Sequence, residues 1–294
     1  MKKIRFSIYL VSALLLMACS EDSTLDMAGM FSPNGETVDT RFEQSIAYNE
    51  TAGEIHLYMP LENYTIYMCS DSHITRKTHR NLDYFIHTYN AELGPKLAIH
   101  LGDLIDAQKN YPCADSVLNL ANGPLFITPG NHDIYFKQWP IYRDYFKSSV
   151  YWFDTNFLTK KLDLFICLDS AEGSLGRKQT QWLKELLEAK SKEGYRRIIV
   201  MTHTHLWKLD GSQGHTSNMA LEETYELTSL LSQYNVEYVW SGHQHARQLV
   251  TFKGVKYMVL NATKDSEEGQ SFVKAEMGKD IVYHFVDYPA IILD

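Results

Sequence analysis

The stretch Leu101-Gly102-Asp103-Leu104-Ile105-Asp106 decides how the chain reads. It closes the apolar run Leu97–Leu101, a buried strand by length and composition, and Gly102 marks where that strand gives way to a loop. Asp103 therefore stands at the carboxyl end of a strand, where α/β sheets place their chemistry. Working outward, four other segments repeat the arrangement. Strand Tyr64–Cys69 leads to Asp71-Ser72-His73, and strand Leu125–Thr128 leads to Pro129-Gly130-Asn131-His132-Asp133. Strand Ile198–Met201 delivers Thr202-His203-Thr204-His205, and strand Val236–Trp240 delivers Ser241-Gly242-His243-Gln244-His245.

Every candidate donor in these segments is a carboxylate oxygen, an amide oxygen or an imidazole nitrogen. That mixture suits Mn, Fe or Zn better than metals that prefer thiolates. The D-x-H and H-x-H spacings each put two side chains on the same side of an extended or turning backbone, within reach of one small centre. Asp103 has two oxygens and can bridge two cations about 4 Å apart, the spacing of two-metal phosphoryl chemistry. Asn131 adds a carbonyl oxygen without charge, so a centre built this way keeps enough positive charge to bind phosphate. Singly each fragment occurs by chance, and a lone histidine at a strand end is ordinarily a packed or surface residue. Five fragments in one order, each behind an apolar strand, point to a common centre.

In that order the segments resemble the calcineurin-like metallophosphoesterases, whose motif series is D-x-H, G-D-x-x-D, G-N-H-[DE], a lone H and G-H-x-H. The resemblance spans residues 64–262. It implies a four-layer α/β/β/α sandwich of two mixed sheets flanked by helices, with the site at the strand ends. It also implies two metal ions, one held by Asp71, His73, Asp103 and His245, the other by Asp103, Asn131, His203 and His243. His203 is preferred to His205 because it comes first after its strand, which leaves His205 to contact substrate.

The implied activity is hydrolysis of a phosphate ester. Two cations sharing Asp103 lower the pKa of a water between them, giving a hydroxide that attacks phosphorus in line. His132 faces the substrate as general acid, held by Asp106. Departures from the family argue against a phosphoprotein substrate and leave the subfamily open. Asp106 is followed by Ala107-Gln108 where the protein Ser/Thr phosphatases carry Arg-Gly, no tyrosine ligand of the purple acid phosphatases stands at a matching position, and no proline follows His205. The aromatics between Tyr135 and Phe157 read first as packing of a helix and strand, secondly as a wall over a base or sugar. That second reading tilts the expected substrate toward a small or nucleotide-like phosphodiester rather than a monoester. A surface lipoprotein that binds ligands without turnover is the alternative from another class.

Composition sets the remaining bounds. The 294 residues carry a formal net charge of −8, a poor balance for gripping long nucleic acid. Lys2, Lys3 and Arg5 precede the apolar run Phe6–Met17, too short at about 12 residues for the ~20 of a membrane span, so residues 1–18 read as an export signal. Leu16-Met17-Ala18-Cys19 resembles a lipobox and predicts an exported lipoprotein, periplasmic or at the cell surface, held to the membrane by lipid on Cys19. Cys69, Cys113 and Cys167 show no regular spacing and read as small apolar side chains rather than disulfides or thiolate ligands. Residues 19–45 read as a polar tether, and 46–294 as a single domain with no internal repeat.

Overall fold

Parallel pairing gathers the motif-bearing strand ends on one side of the molecule. The computed structural model describes residues 36–208, 214–216, 218–265 and 269–289, so the expected signal peptide, Cys19 and most of the tether lie outside the described residues. Among the described residues no helix is long and apolar enough to cross a membrane.

The strands are β1 (Ile55–Tyr58), β2 (Tyr64–Cys69), β3 (Lys96–His100), β4 (Leu125–Ile127), β5 (Tyr151–Phe157), β6 (Lys160–Cys167), β7 (Arg197–Met201), β8 (Tyr238–Ser241), β9 (Gln248–Phe252), β10 (Val255–Val259), β11 (Ser271–Met277) and β12 (Ile281–Asp287). The helices are α1 (Val38–Ala52), α2 (Arg80–Ala91), α3 (Tyr111–Leu118), α4 (Asn131–Ile134), α5 (Trp139–Phe146), α6 (Gly176–Lys190) and α7 (Leu221–Gln233). One sheet runs β12-β11-β2-β3-β4 and the other β1-β5-β6-β7-β8-β10-β9. Within them β2, β3 and β4 are parallel, as are β6, β7, β8 and β10, while β11, β12, β5 and β9 enter antiparallel. Both sheets are mixed, as the resemblance implies.

Three apolar clusters give the layers. Ile66, Met68, Ile99, Phe165, Met201 and Trp240 interlock between the two sheets. Leu82, Phe85, Tyr89, Tyr111 and Trp139 seat α2, α3 and α5 on the outer face of the five-stranded sheet. Leu164, Leu183, Leu187, Val200, Leu227 and Leu231 seat α6 and α7 on the seven-stranded one. The result is helix, sheet, sheet, helix. Strands buried on both faces read as continuous apolar runs, which is why β3 and β7 stand out in the sequence.

One local reading needs correction. The tether does not extend to residue 45, because Val38–Ala52 is helical and buries Arg41, Phe42 and Ser45. Pro112 does not break helix α3, because it sits in the first turn, where its missing N–H has no partner to lose. Strand β11 was not expected, since Lys274 and Glu276 interrupt its apolar pattern. The aromatics Tyr135, Trp139, Tyr142 and Phe153 are buried, so packing accounts for most of the 135–157 segment, and Phe136 alone of its aromatics stands well exposed.

Candidate metal centre

The loops carrying the motifs go on pairing after the strands end. Asp71 N–H donates to Gly102 O (2.9 Å), His73 N–H to Asp103 O (3.0 Å) and Gly242 N–H to His203 O (3.0 Å). The five-stranded sheet thereby supplies Asp71, His73, Asp103 and Asn131, and the seven-stranded sheet supplies His203, His243 and His245. Close approach of these loops requires glycine. A Cβ on Gly102 would lie 2.7 Å from the Gly130 amide nitrogen, and one on Gly130 or Gly242 would collide with Asp103 or with Ser70 and Asp71.

The backbone is strained where the donors sit. Asp71, His73, Asp103, His243 and His245 all have positive φ, between 44° and 76°. Such residues cost roughly 1–3 kcal/mol each and gather at functional sites. Asp and His tolerate this region better than most residue types.

Two donor triads of expected ligands result, Asp71/His73/His245 and Asp103/His203/His243, and a third group, His73/Asp106/His132, shares His73 with the first; the ligand atoms of each lie within 4.8 Å of one another. Asp103 joins the first two. Its Oδ2 lies 3.8 Å from His73 Nε2 and 3.3 Å from His203 Nε2, while Oδ1 accepts the His132 N–H at 2.8 Å. Asn131 Oδ1 belongs to the second set, 3.0 Å from His243 Nδ1 and 3.1 Å from His203 Nε2. In the first set, His245 Nε2 lies 3.2 Å from His73 Nε2 and 3.5 Å from Asp71 Oδ1. The seven residues expected as metal ligands are thus brought together.

The far side of each ring fixes which nitrogen faces inward. His203 Nδ1 donates to Leu101 O (2.7 Å) and His73 Nδ1 to Asp106 Oδ1 (2.7 Å), turning Nε2 of both toward the centre, where a cation would replace any proton held there. The expected pairing of Asp106 with His132 is therefore secondary, at 3.7 Å. His73 captures the carboxylate because it lies closer, and Asp106 orients a candidate ligand. His132 stands edge-on to His73, with ring centroids 4.7 Å apart, and its side chain is 43% exposed. His205 is buried, with its ring 5.7 Å from that of His243, and joins neither triad.

Electrostatics shows that the pocket fits cations. Burial disfavours a charged His203, yet the Asp103 carboxylate outweighs it and raises the imidazole to about 10. Asp103 and Asp71, although buried, stay well below the usual carboxylate range through their histidine neighbours. A site that holds a proton this firmly on a buried imidazole offers the same potential to a metal ion, which displaces that proton on binding. The donor set of carboxylate, amide and imidazole matches Mn, Fe or Zn.

Two supporting groups take roles that the sequence left unassigned. Asp133 accepts N–H bonds from Gly130 (2.9 Å) and Leu104 (3.0 Å), tying the loops on either side of Asp103 together. Burial and the nearby Asp103 charge push its carboxyl up to about 7. Ser170 reaches the residues flanking His203: its hydroxyl bonds Thr202 Oγ1 (2.7 Å) and accepts from Thr204 N–H (2.9 Å). The Asp133–Leu104 bond and both Ser170 contacts join residues about 30 apart in the chain, so no local pattern could announce them.

The fold has counterparts among solved structures. A dimetal phosphatase from Danio rerio aligns with a TM-score of 0.60 at 13% identity, over 76% of this chain and 95% of its own. A purple acid phosphatase from yellow lupin aligns at 0.57 and 12% identity, over 76% and 51%. A putative 5'-nucleotidase from Staphylococcus aureus aligns at 0.53 and 15% identity, over 79% and 55%, so this chain spans about half the length of these last two. No curated protein matches the chain by sequence. The family described as calcineurin-like phosphoesterase matches residues 64–247, a stretch that holds all five motifs. The chain belongs to the calcineurin-like phosphoesterase family, and it is a phosphoric ester hydrolase.

Proposed function

We propose that the protein is a two-metal hydrolase of small phosphate esters, acting on nucleotide-like phosphodiesters in preference to monoesters. The observation that carries this reading is Asp103, one carboxylate oxygen of which faces both donor triads. Asp71, His73, Asp103 and His245 would hold one cation, and Asp103, Asn131, His203 and His243 the other. When bound, the pair supplies activation of water and charge neutralisation at the phosphoryl oxygens.

The chain's own residues do the rest. His132, half-exposed at the rim beside His73, is placed to protonate the departing alkoxide. Asp106 lies on the same side, 3.7 Å from it. Gly130 and Asp133 hold the His132 backbone against Asp103, so the general acid and the shared carboxylate move as one unit. The diester preference rests on Phe136, 74% exposed and four residues beyond His132, which offers a face to a base or sugar. Net negative charge disfavours a long nucleic acid substrate.

Assays with bis-p-nitrophenyl phosphate and p-nitrophenyl phosphate in the presence of Mn²⁺ test the reading. Faster turnover of the diester supports it, and faster turnover of the monoester reverses the preference. Turnover of neither by protein carrying two metals per chain favours the ligand-binding lipoprotein instead. The lipid anchor is a separate part of the proposal. Metabolic labelling with a radiolabelled fatty acid should mark the wild type and not Cys19→Ala, and equal labelling would refute it.

A further inference from the structure

Among the described residues, Arg41 is the most deeply buried arginine or lysine. It is fully enclosed and comes from α1, which precedes the stretch matched to the family. Its guanidinium forks onto Asp169, with Nε donating to Oδ2 (2.8 Å) and Nη2 to Oδ1 (3.1 Å). Nη1 lies 3.0 Å from Glu172 Oε1 and donates to Glu36 O at 3.2 Å. Asp169 is held on its main chain as well, since the Gln179 side chain accepts its N–H (2.8 Å) and donates to its carbonyl (2.9 Å).

The next residue after Asp169 is Ser170, the group that brackets His203. Its hydroxyl bonds Thr202 Oγ1 and receives Thr204 N–H, and its carbonyl accepts from Thr204 Oγ1 at 2.8 Å. An unbroken chain of bonds therefore runs from α1 through Arg41, Asp169 and Ser170 to both neighbours of a candidate ligand. His73 and Asp71 are held instead by Asp106, the loop after β3 and the His243 amide, none of which belongs to α1.

We propose that Arg41 is a positioning residue: through Asp169 and Ser170 it fixes the His203 segment, and so sets the cation affinity of the Asp103/Asn131/His203/His243 half of the centre selectively. This rests on the two-metal reading. A salt bridge as enclosed as this one is weak evidence of a stabilising role, because desolvation offsets most of its attraction. Its bidentate geometry does fix direction, which is what a ligand-bearing loop requires. Partners beyond the ligands typically alter metal affinity about 10–100-fold.

Calorimetric titration of the full chain with Mn²⁺, after stripping with chelator, reads the two affinities apart from activity. Wild type should bind two ions. Arg41→Met should weaken one of them about 10–100-fold and leave the other unchanged. Arg41→Lys, which keeps the charge but loses the fork, should fall between. Ser170→Ala leaves the ion pair intact and should reproduce the selective loss, so the test survives if Arg41→Met fails to fold. Variants that bind two ions as tightly as wild type, or lose both affinities equally, overturn this inference and leave the metal centre standing. A wild type that takes up no pair of ions overturns both.

Discussion

His132 carries the sharpest prediction at the scale of single residues. Its ring stands at the rim, edge-on to His73, and its amide is pinned to Asp103. His132→Ala should lower kcat by about 10²–10⁴, the usual contribution of general acid–base help, while elemental analysis still finds two metals. Unchanged turnover would remove it from the mechanism. His100 makes a different prediction. Its Nδ1 accepts Gly102 N–H (3.2 Å) and its Nε2 donates to Ser72 Oγ (2.7 Å), so the buried ring must be neutral. Burial lowers its pKa to about 4, below the unfolded value of about 6.5. Because the unfolded chain binds the extra proton, the contribution of neutral His100 is complete above pH ~6.5 and is lost as pH falls toward 4, at up to about 1.4 kcal/mol per pH unit. Urea unfolding of chelator-treated protein at pH 7 and pH 5 should show a shallower pH slope for His100→Asn than for wild type. Identical slopes would show that the ring does not titrate this way.

At the scale of elements, the site depends on how closely the loops after β3 and β4 approach. Gly130 has an ordinary φ of −103°, so alanine there meets no backbone strain, only the amide and carboxylate of Asp103. Gly130→Ala should displace Asp103 and weaken binding of both cations, measured by Mn²⁺ titration, and two affinities at wild-type strength would contradict the loop geometry. The same elements explain what could be read in advance. Strands such as Leu97–Leu101 and Ile198–Met201 are apolar on both faces, and glycine-punctuated motifs follow them, so the centre was legible residue by residue. Helix α1 was not, because its core-facing residues include Arg41 and Ser45, polar groups whose burial depends on partners more than 100 residues away. Asp106 was assigned to His132 on the motif alone, and only the fold shows that His73 lies nearer.

At the scale of the whole molecule, the two sheets each contribute one side of the centre, and their packing through Phe165, Trp240 and Ile99 sets its dimensions. Cations that bridge the sheets bind the folded chain and not the unfolded one. Each site at a hundredfold excess of metal over its Kd adds about 2.7 kcal/mol, so removal of metal should lower the melting temperature by on the order of 5–10 °C per site. A melting temperature unmoved by chelator and by added Mn²⁺ would mean that nothing bridges the sheets. The most direct test is anomalous diffraction from crystals grown with Mn²⁺. Two peaks should appear about 4 Å apart on either side of Asp103, one beside Asp71 and His245, the other beside Asn131 and His203. A single peak, or peaks away from Asp103, would contradict the account.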